Sequence, residues 1–133
     1  MANFEPTIKL EHTDSRGEIY SISLPGDKEL MLLHSKAGAL RGGHAHDCDE
    51  LVALLTGKIF YTKREERDDQ DAAEWTEVLT EGDTSFVPKG VFHLGEFLKD
   101  SWLLEWKIGT KKGDWENIDY KPYRDKVNAN VAG

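Results

Sequence analysis

Between Arg41 and Gly57 the chain reads RGGHAHDCDELVALLTG. His44 and His46 are two residues apart, so extended backbone points both imidazoles to one face. Glu50 lies four residues further on and keeps that parity if the strand continues. A second block, GDTSFVPKGVFH, runs from Gly82 to His93 and ends on another imidazole. Three neutral imidazoles and one carboxylate form a donor set for Fe, Mn, Co, Ni or Zn. Four protein ligands leave about two positions of a six-coordinate ion open to substrate, water or dioxygen. With a single anionic donor, a divalent centre keeps positive charge and attracts an anionic or oxygen-rich ligand.

A lone strand histidine is more often a surface or hydrogen-bonded residue than a ligand, and an HxH pair alone is weak evidence. Glu50 and His93 add donors of suitable type to that pair. Cys48 shares simple alternation with His46 and Glu50, but HDCDE reads as a turn or bulge that breaks alternation. A small half-buried residue is therefore the expectation for Cys48, outside the ligand set. Arg41 precedes His44 by three residues and is a candidate to hold an anionic substrate through its guanidinium. An exposed loop arginine is an equal alternative. Tyr61 is a candidate acid, base or anchor in the pocket, although a core tyrosine is the commoner use of such a residue.

Short strands must position these groups. GEIYSISL alternates apolar and polar residues, PGDKE follows as a turn, and ELMLLHS is a second strand. ELVALLTG and KIFYTKRE flank Gly57 as an expected hairpin. EERDDQDAAE has no apolar periodicity and reads as an exposed loop. WTEVLT, TSFVPK and SWLLEWKIG supply more strands. In the last of these Trp102, Leu104, Trp106 and Ile108 share a face expected to be core, which leaves Glu105 and Lys107 to solvent or a partner subunit. The polar tail DWENIDYKPYRDKVNANVAG either holds a short helix or docks on the barrel. Many short strands punctuated by glycine and proline predict an all-β sandwich or barrel in a single domain over 1–133, its core about 17–109 and its tail 110–133.

The 133 residues suffice for one core. A net charge of −8 argues against nucleic acid and anionic membrane surfaces as partners. It leaves room for a small anionic substrate, because a pocket can carry local positive charge. No apolar run approaches the roughly 18 residues of a membrane span. The start, MANFEPTIKLEHTD, has no secretory pattern, and the single cysteine fits a reducing compartment. The expected location is cytoplasmic. Exposed sheet edges predict a homodimer.

Written as patterns, the two blocks are G-x5-H-x-H-x3-E-x6-G and G-x5-P-x-G-x2-H. Matched in order from Gly38 to Phe97, they resemble the paired motifs of the cupin superfamily. The resemblance implies a cupin double-stranded β-helix, a jelly-roll barrel, that binds one divalent transition metal through His44, His46, Glu50 and His93. The second motif of that family usually continues to an asparagine, where this chain has Phe97. The expected function is thus a metalloenzyme (dioxygenase, lyase or isomerase) acting on a small oxygen-rich or anionic molecule. A narrower and looser resemblance rests on DSRGEIYSIS, RGGHAH and WENIDYKPYRDKV, which are similar to sugar-nucleotide ketoisomerases and epimerases of the same barrel class. Those enzymes work without metal, which would make His44 and His46 proton carriers and Arg41 a substrate anchor. Glu50 and His93 complete a shell that such enzymes do not need, and ELMLLHS lacks a tyrosine donor. A non-catalytic barrel that binds a small molecule is the third alternative.

Overall fold

A computed structural model describes residues 4–66, 70–110 and 115–132 of the chain. Its strands are β1 (Ile8–Asp14), β2 (Gly17–Leu24), β3 (Lys28–Ser35), β4 (Leu40–His46), β5 (Asp49–Thr56), β6 (Lys58–Glu65), β7 (Glu74–Thr80), β8 (Thr84–Val87), β9 (Val91–Phe97), β10 (Ser101–Ile108) and β11 (Asn117–Asp119). One helix, α1 (Lys121–Ala132), follows. The strands form two antiparallel sheets, ordered β1-β2-β3-β10-β5-β8 and β11-β4-β9-β6-β7. This is the all-β architecture predicted from the strand pattern and the jelly roll that the resemblance implies. The first strand, β1, lies outside the expected barrel core, and the tail contributes both β11 and α1. Part of the acidic EERDDQDAAE loop, residues 67–69, lies outside the described residues.

Alternation on the strands fills the space between the sheets. Leu33, Val52, Leu54, Ile59, Val87, Phe97 and Leu103 are buried there together. Phe97, where the related motif has asparagine, is core. A second cluster lies on the far side of the five-stranded sheet, where Tyr123 and Val127 of α1 pack on Ala45, Phe92 and Leu94. Pro122 sits in the first turn of α1, where its fixed φ and missing N–H are tolerated. The helix is thereby a lid on one sheet, while the outer face of the other carries no such layer among the described residues. Lys63 also lies between the sheets, with its ammonium on Glu77 (2.8 and 2.9 Å), Ser85 Oγ and the Phe86 carbonyl. Those partners make a buried ammonium tolerable.

Two expectations fail. No hairpin forms across Gly57: β5 pairs with β10 and β8, whereas β6 pairs with β9 and β7. At Gly57 φ is 102° and a Cβ would collide with Ser101 Oγ, so this glycine carries the chain from one sheet to the other. The apolar stripe of β10 is also reversed. Trp102, Trp106 and Ile108 are exposed at 38%, 42% and 37%, and Leu103 at 1% is the core residue. Glu105 and Lys107 therefore share Leu103's inward side. Periodicity groups residues by face but does not say which face turns in, and here the interior is polar at one end.

Candidate metal centre

Arg41 and His44 are three residues apart, so regular alternation would send them to opposite faces. A β-bulge between Gly42 and His44 shifts the register of β4 on β9. Gly42 and Gly43 have φ of 100° and 85°, a region that favours glycine. A Cβ on Gly42 would come within 2.6 Å of the His93 carbonyl. The bulge is held from outside by Arg124 of α1, which donates to the Gly42 carbonyl at 2.7 Å. Arg41, His44 and His46 consequently all line the same cavity.

The second block approaches on β9, where His93 pairs in register with His44. Its turn is tied to the first block: the Gly90 N–H donates to the His46 carbonyl at 3.0 Å, and Lys89 N–H donates to Asp49 Oδ1 at 2.8 Å. A nitrogen from each of His44, His46 and His93 lies within 4.8 Å of the others. Glu50 reaches them from the opposite sheet, after the chain bends at Asp47 and Cys48. Its Oε2 is 3.3 Å from His46 Nε2, and its Oε1 is 3.9 Å from His93 Nε2. Cys48 is half-buried and outside the cluster, and burial pushes its thiol pKa up.

The ring orientations suit ligation. Asn117 Oδ1 lies 2.6 Å from His46 Nδ1, and the Val91 carbonyl lies 3.2 Å from His93 Nδ1. With those Nδ1 atoms protonated, both Nε2 lone pairs face the cluster. Burial first, then the neighbouring His93 and His46, lowers the His44 pKa to about 3. Burial likewise lowers His93 to about 4, against the pull of Glu50. Both imidazoles are neutral at pH 7, the state a metal needs.

Glu50 is fully buried, and neither carboxylate oxygen has a hydrogen-bond partner of good geometry. Burial disfavours its charge, but His46, Lys107 and His93 outweigh that and hold the carboxyl below the usual range. A buried anion with open lone pairs beside three convergent imidazoles is a set that fits a divalent transition metal.

The cavity next to this cluster measures about 250 Å³. Arg16, Arg41, Lys107 and Arg124 all contribute to its wall, against Glu105 as its acid. Arg41 is anchored rather than mobile: Nε donates to Ser35 Oγ at 2.6 Å and Nη2 to the His34 carbonyl at 3.3 Å. Burial and then Arg16 lower its pKa from the ordinary value. Tyr61 is buried in the core and also lines the cavity, and burial raises its phenol well above the usual value. Glu105 has a pKa raised to about 7, by burial first and by the Glu50 charge second. For Lys107, burial works against the ammonium, yet Glu50 and Glu105 prevail and raise its pKa.

The structure brings His44, His46, Glu50 and His93 close together and puts Arg41 and Tyr61 on the adjoining cavity. Glu105 and Lys107 are the site residues that sequence reasoning missed. Their inward parity with Leu103 was the available signal, obscured by Trp102 and Trp106 at the alternate positions.

No protein-family model and no curated protein matches the chain. Solved structures do match. CapF, a capsular polysaccharide assembling protein from Staphylococcus aureus, is 20% identical with a TM-score of 0.63, over 88% of this chain and 32% of that one. Oxalate decarboxylase from Bacillus subtilis, a protein with Mn(II) centres, is 19% identical with a TM-score of 0.63, over 86% of this chain and 30% of that one. Vicilin from hazelnut, Corylus avellana, is 11% identical with a TM-score of 0.68, over 84% and 34%. The chain spans about a third of the length of these matched chains. At such identities the likeness speaks for architecture alone, and with two sheets closing on the paired-motif histidines, the fold of this chain is that of the cupins.

Proposed function

We propose that the chain is a metal-dependent enzyme acting on a small anionic, oxygen-bearing organic molecule at His44, His46, Glu50 and His93. The observation that carries this reading is the fully buried Glu50 carboxylate, 3.3 Å from His46 Nε2 and 3.9 Å from His93 Nε2, beside imidazoles that converge within 4.8 Å. A bound Fe, Mn, Co, Ni or Zn ion would supply Lewis-acid polarisation of a carbonyl or carboxylate, or a binding position for dioxygen. The chain's own residues do the rest. Arg41, fixed by Ser35 and the His34 carbonyl, orients an anionic group of the substrate. Glu105 has an environment that lets it hold or release a proton near neutral pH. Tyr61 stays protonated and serves as a donor, not as a base. The apolar part of the wall, including Leu33, Phe97 and Leu103, excludes water behind the substrate.

The metal-free isomerase reading asks His44 or His46 to move protons at neutral pH. A pKa of about 3 for His44 fits that role poorly. No helix among the described residues is long and apolar enough to cross a membrane. The expected homodimer belongs to this proposal, with β1 as the contact: it is a sheet edge whose Ile8 and Leu10 are exposed at 68% and 50%. A monomeric mass in solution contradicts that contact.

Metal analysis of purified protein tests the central reading. The expected result is about one divalent transition metal per chain, lost to below a tenth in His93→Ala. A folded wild-type protein that takes up no transition metal removes the proposal. Stabilisation of metal-free protein by a nucleotide sugar would favour the isomerase instead.

A further inference from the structure

Lys107 and Glu50 are cross-strand partners on β10 and β5, so their side chains leave the sheet on the same side. Lys107 Nζ lies 3.0 Å from Glu50 Oε2 and 4.0 Å from the centroid of the Trp115 ring. The lysine side chain is 10% exposed and the glutamate side chain 0%. An ammonium thus sits beside one oxygen of the only carboxylate in the candidate ligand set. The other oxygen, Oε1, lies on the His93 side of the group. Because both charges are buried, the energetics of each depend on the other.

We propose that Lys107 is a resident counter-ion of Glu50, which stabilises the carboxylate before metal arrives and leaves Oε1 as the oxygen offered to the ion. This rests on the metal reading above and adds a residue and a role to it. Two consequences follow from charge alone. A divalent ion entering beside Glu50 meets a cation already in place, so Lys107 weakens metal binding relative to a neutral side chain. Once loaded, the centre keeps a net charge of +2 instead of +1 when the ammonium is counted with the ion and the carboxylate. The Trp115 ring holds that ammonium next to the cavity through its π-face, so a ligand at the centre meets two cationic groups. Ligands bearing two negative charges gain most from that arrangement.

The test compares metal-free wild type with Lys107→Met, Lys107→Gln, Lys107→Arg and the pair Lys107→Met with Glu50→Gln. Each is titrated with Co(II), followed by its d–d absorption, and melted with and without the ion. Lys107→Met and Lys107→Gln are expected to bind Co(II) about tenfold more tightly or better, and Lys107→Arg within about threefold of wild type. Without metal, Lys107→Met melts lower than wild type, and either Co(II) or the added Glu50→Gln restores the loss. Lys107→Gln keeps a donor for Oε2, so it supplies the affinity readout if the methionine variant does not fold. Unchanged or weaker Co(II) binding in a folded, uncharged variant overturns the Lys107 proposal and leaves the metal reading intact. Absence of Co(II) binding in wild type and all variants overturns both.

Discussion

Strands β4 and β10 stand in opposite sheets and each sends three consequential side chains inward, yet only one of them declares itself in the sequence. On β4 the inward residues are Arg41, His44 and His46, whose types and spacing carry the chemistry openly. On β10 they are Leu103, Glu105 and Lys107, hidden behind a stripe of Trp102, Leu104, Trp106 and Ile108 that periodicity assigns to the core. The outward tryptophans are 38% and 42% exposed, whereas Leu103 is 1% exposed. Alternation is a statement about relative facing. Which face turns inward depends on what the interior needs, and a barrel with a polar site wants charge at one end of an inward row.

The sharpest way to break this comparison is to truncate both faces of β10. Leu103→Ala should destabilise the fold by about 2–5 kcal/mol, because a filled core position becomes a cavity. Trp106→Ser, measured by the same denaturant titration, should cost less than about 1 kcal/mol. Equal losses would restore the reading in which the tryptophan stripe is core.

On the other strand the bulge can be tested. Gly42→Ala forces a side chain into a positive φ and against the His93 carbonyl. The expected cost is about 1–3 kcal/mol, with weaker metal uptake because Arg41, His44 and His46 no longer share one face. A variant as stable as wild type, with unchanged metal binding, would show that the bulge does not set the phase of β4.

A smaller effect separates the charges inside β10. Glu105 has a folded pKa of about 7, raised by burial and the Glu50 charge above the ordinary carboxyl value of 4.5. The folded state therefore holds a proton that the unfolded chain releases, and the charge penalty grows as pH rises from 4.5 through 7. Metal-free Glu105→Gln escapes that penalty. Its stability relative to wild type should improve by on the order of 2 kcal/mol between pH 5 and pH 8. The lowered pKa values of His44 and His93 act in the opposite sense: both proteins lose stability as pH falls below the ordinary histidine value of 6.5, toward about 3 and about 4. A Glu105→Gln difference that stays flat with pH would mean that Glu105 is ionised throughout.

Much of the architecture was legible. The segment GEIYSISL coincides with β2 from Gly17 to Leu24, and the two histidine-bearing blocks meet as the resemblance to cupins implies. Glu50 was found for an incomplete reason. Parity with His46 suggested it, but the two residues lie on strands of different sheets, and the bend at Asp47 and Cys48 brings them together. The partner of β5 was not legible, because a single glycine between two apolar runs serves a hairpin or a crossing between sheets, and only the close approach of Ser101 distinguishes them. Nor was Asn117, which fixes His46 from 71 positions away in the chain. Long-range pairs of that kind leave no local pattern.

One metal ion is expected to bring together groups from β4, β5 and β9. X-ray absorption at the metal edge of the loaded protein examines it most directly. Nitrogen and oxygen neighbours are expected, with imidazole scattering from three histidines, reduced by one in His93→Ala. A spectrum without histidine scattering, from folded protein carrying stoichiometric metal, would contradict it.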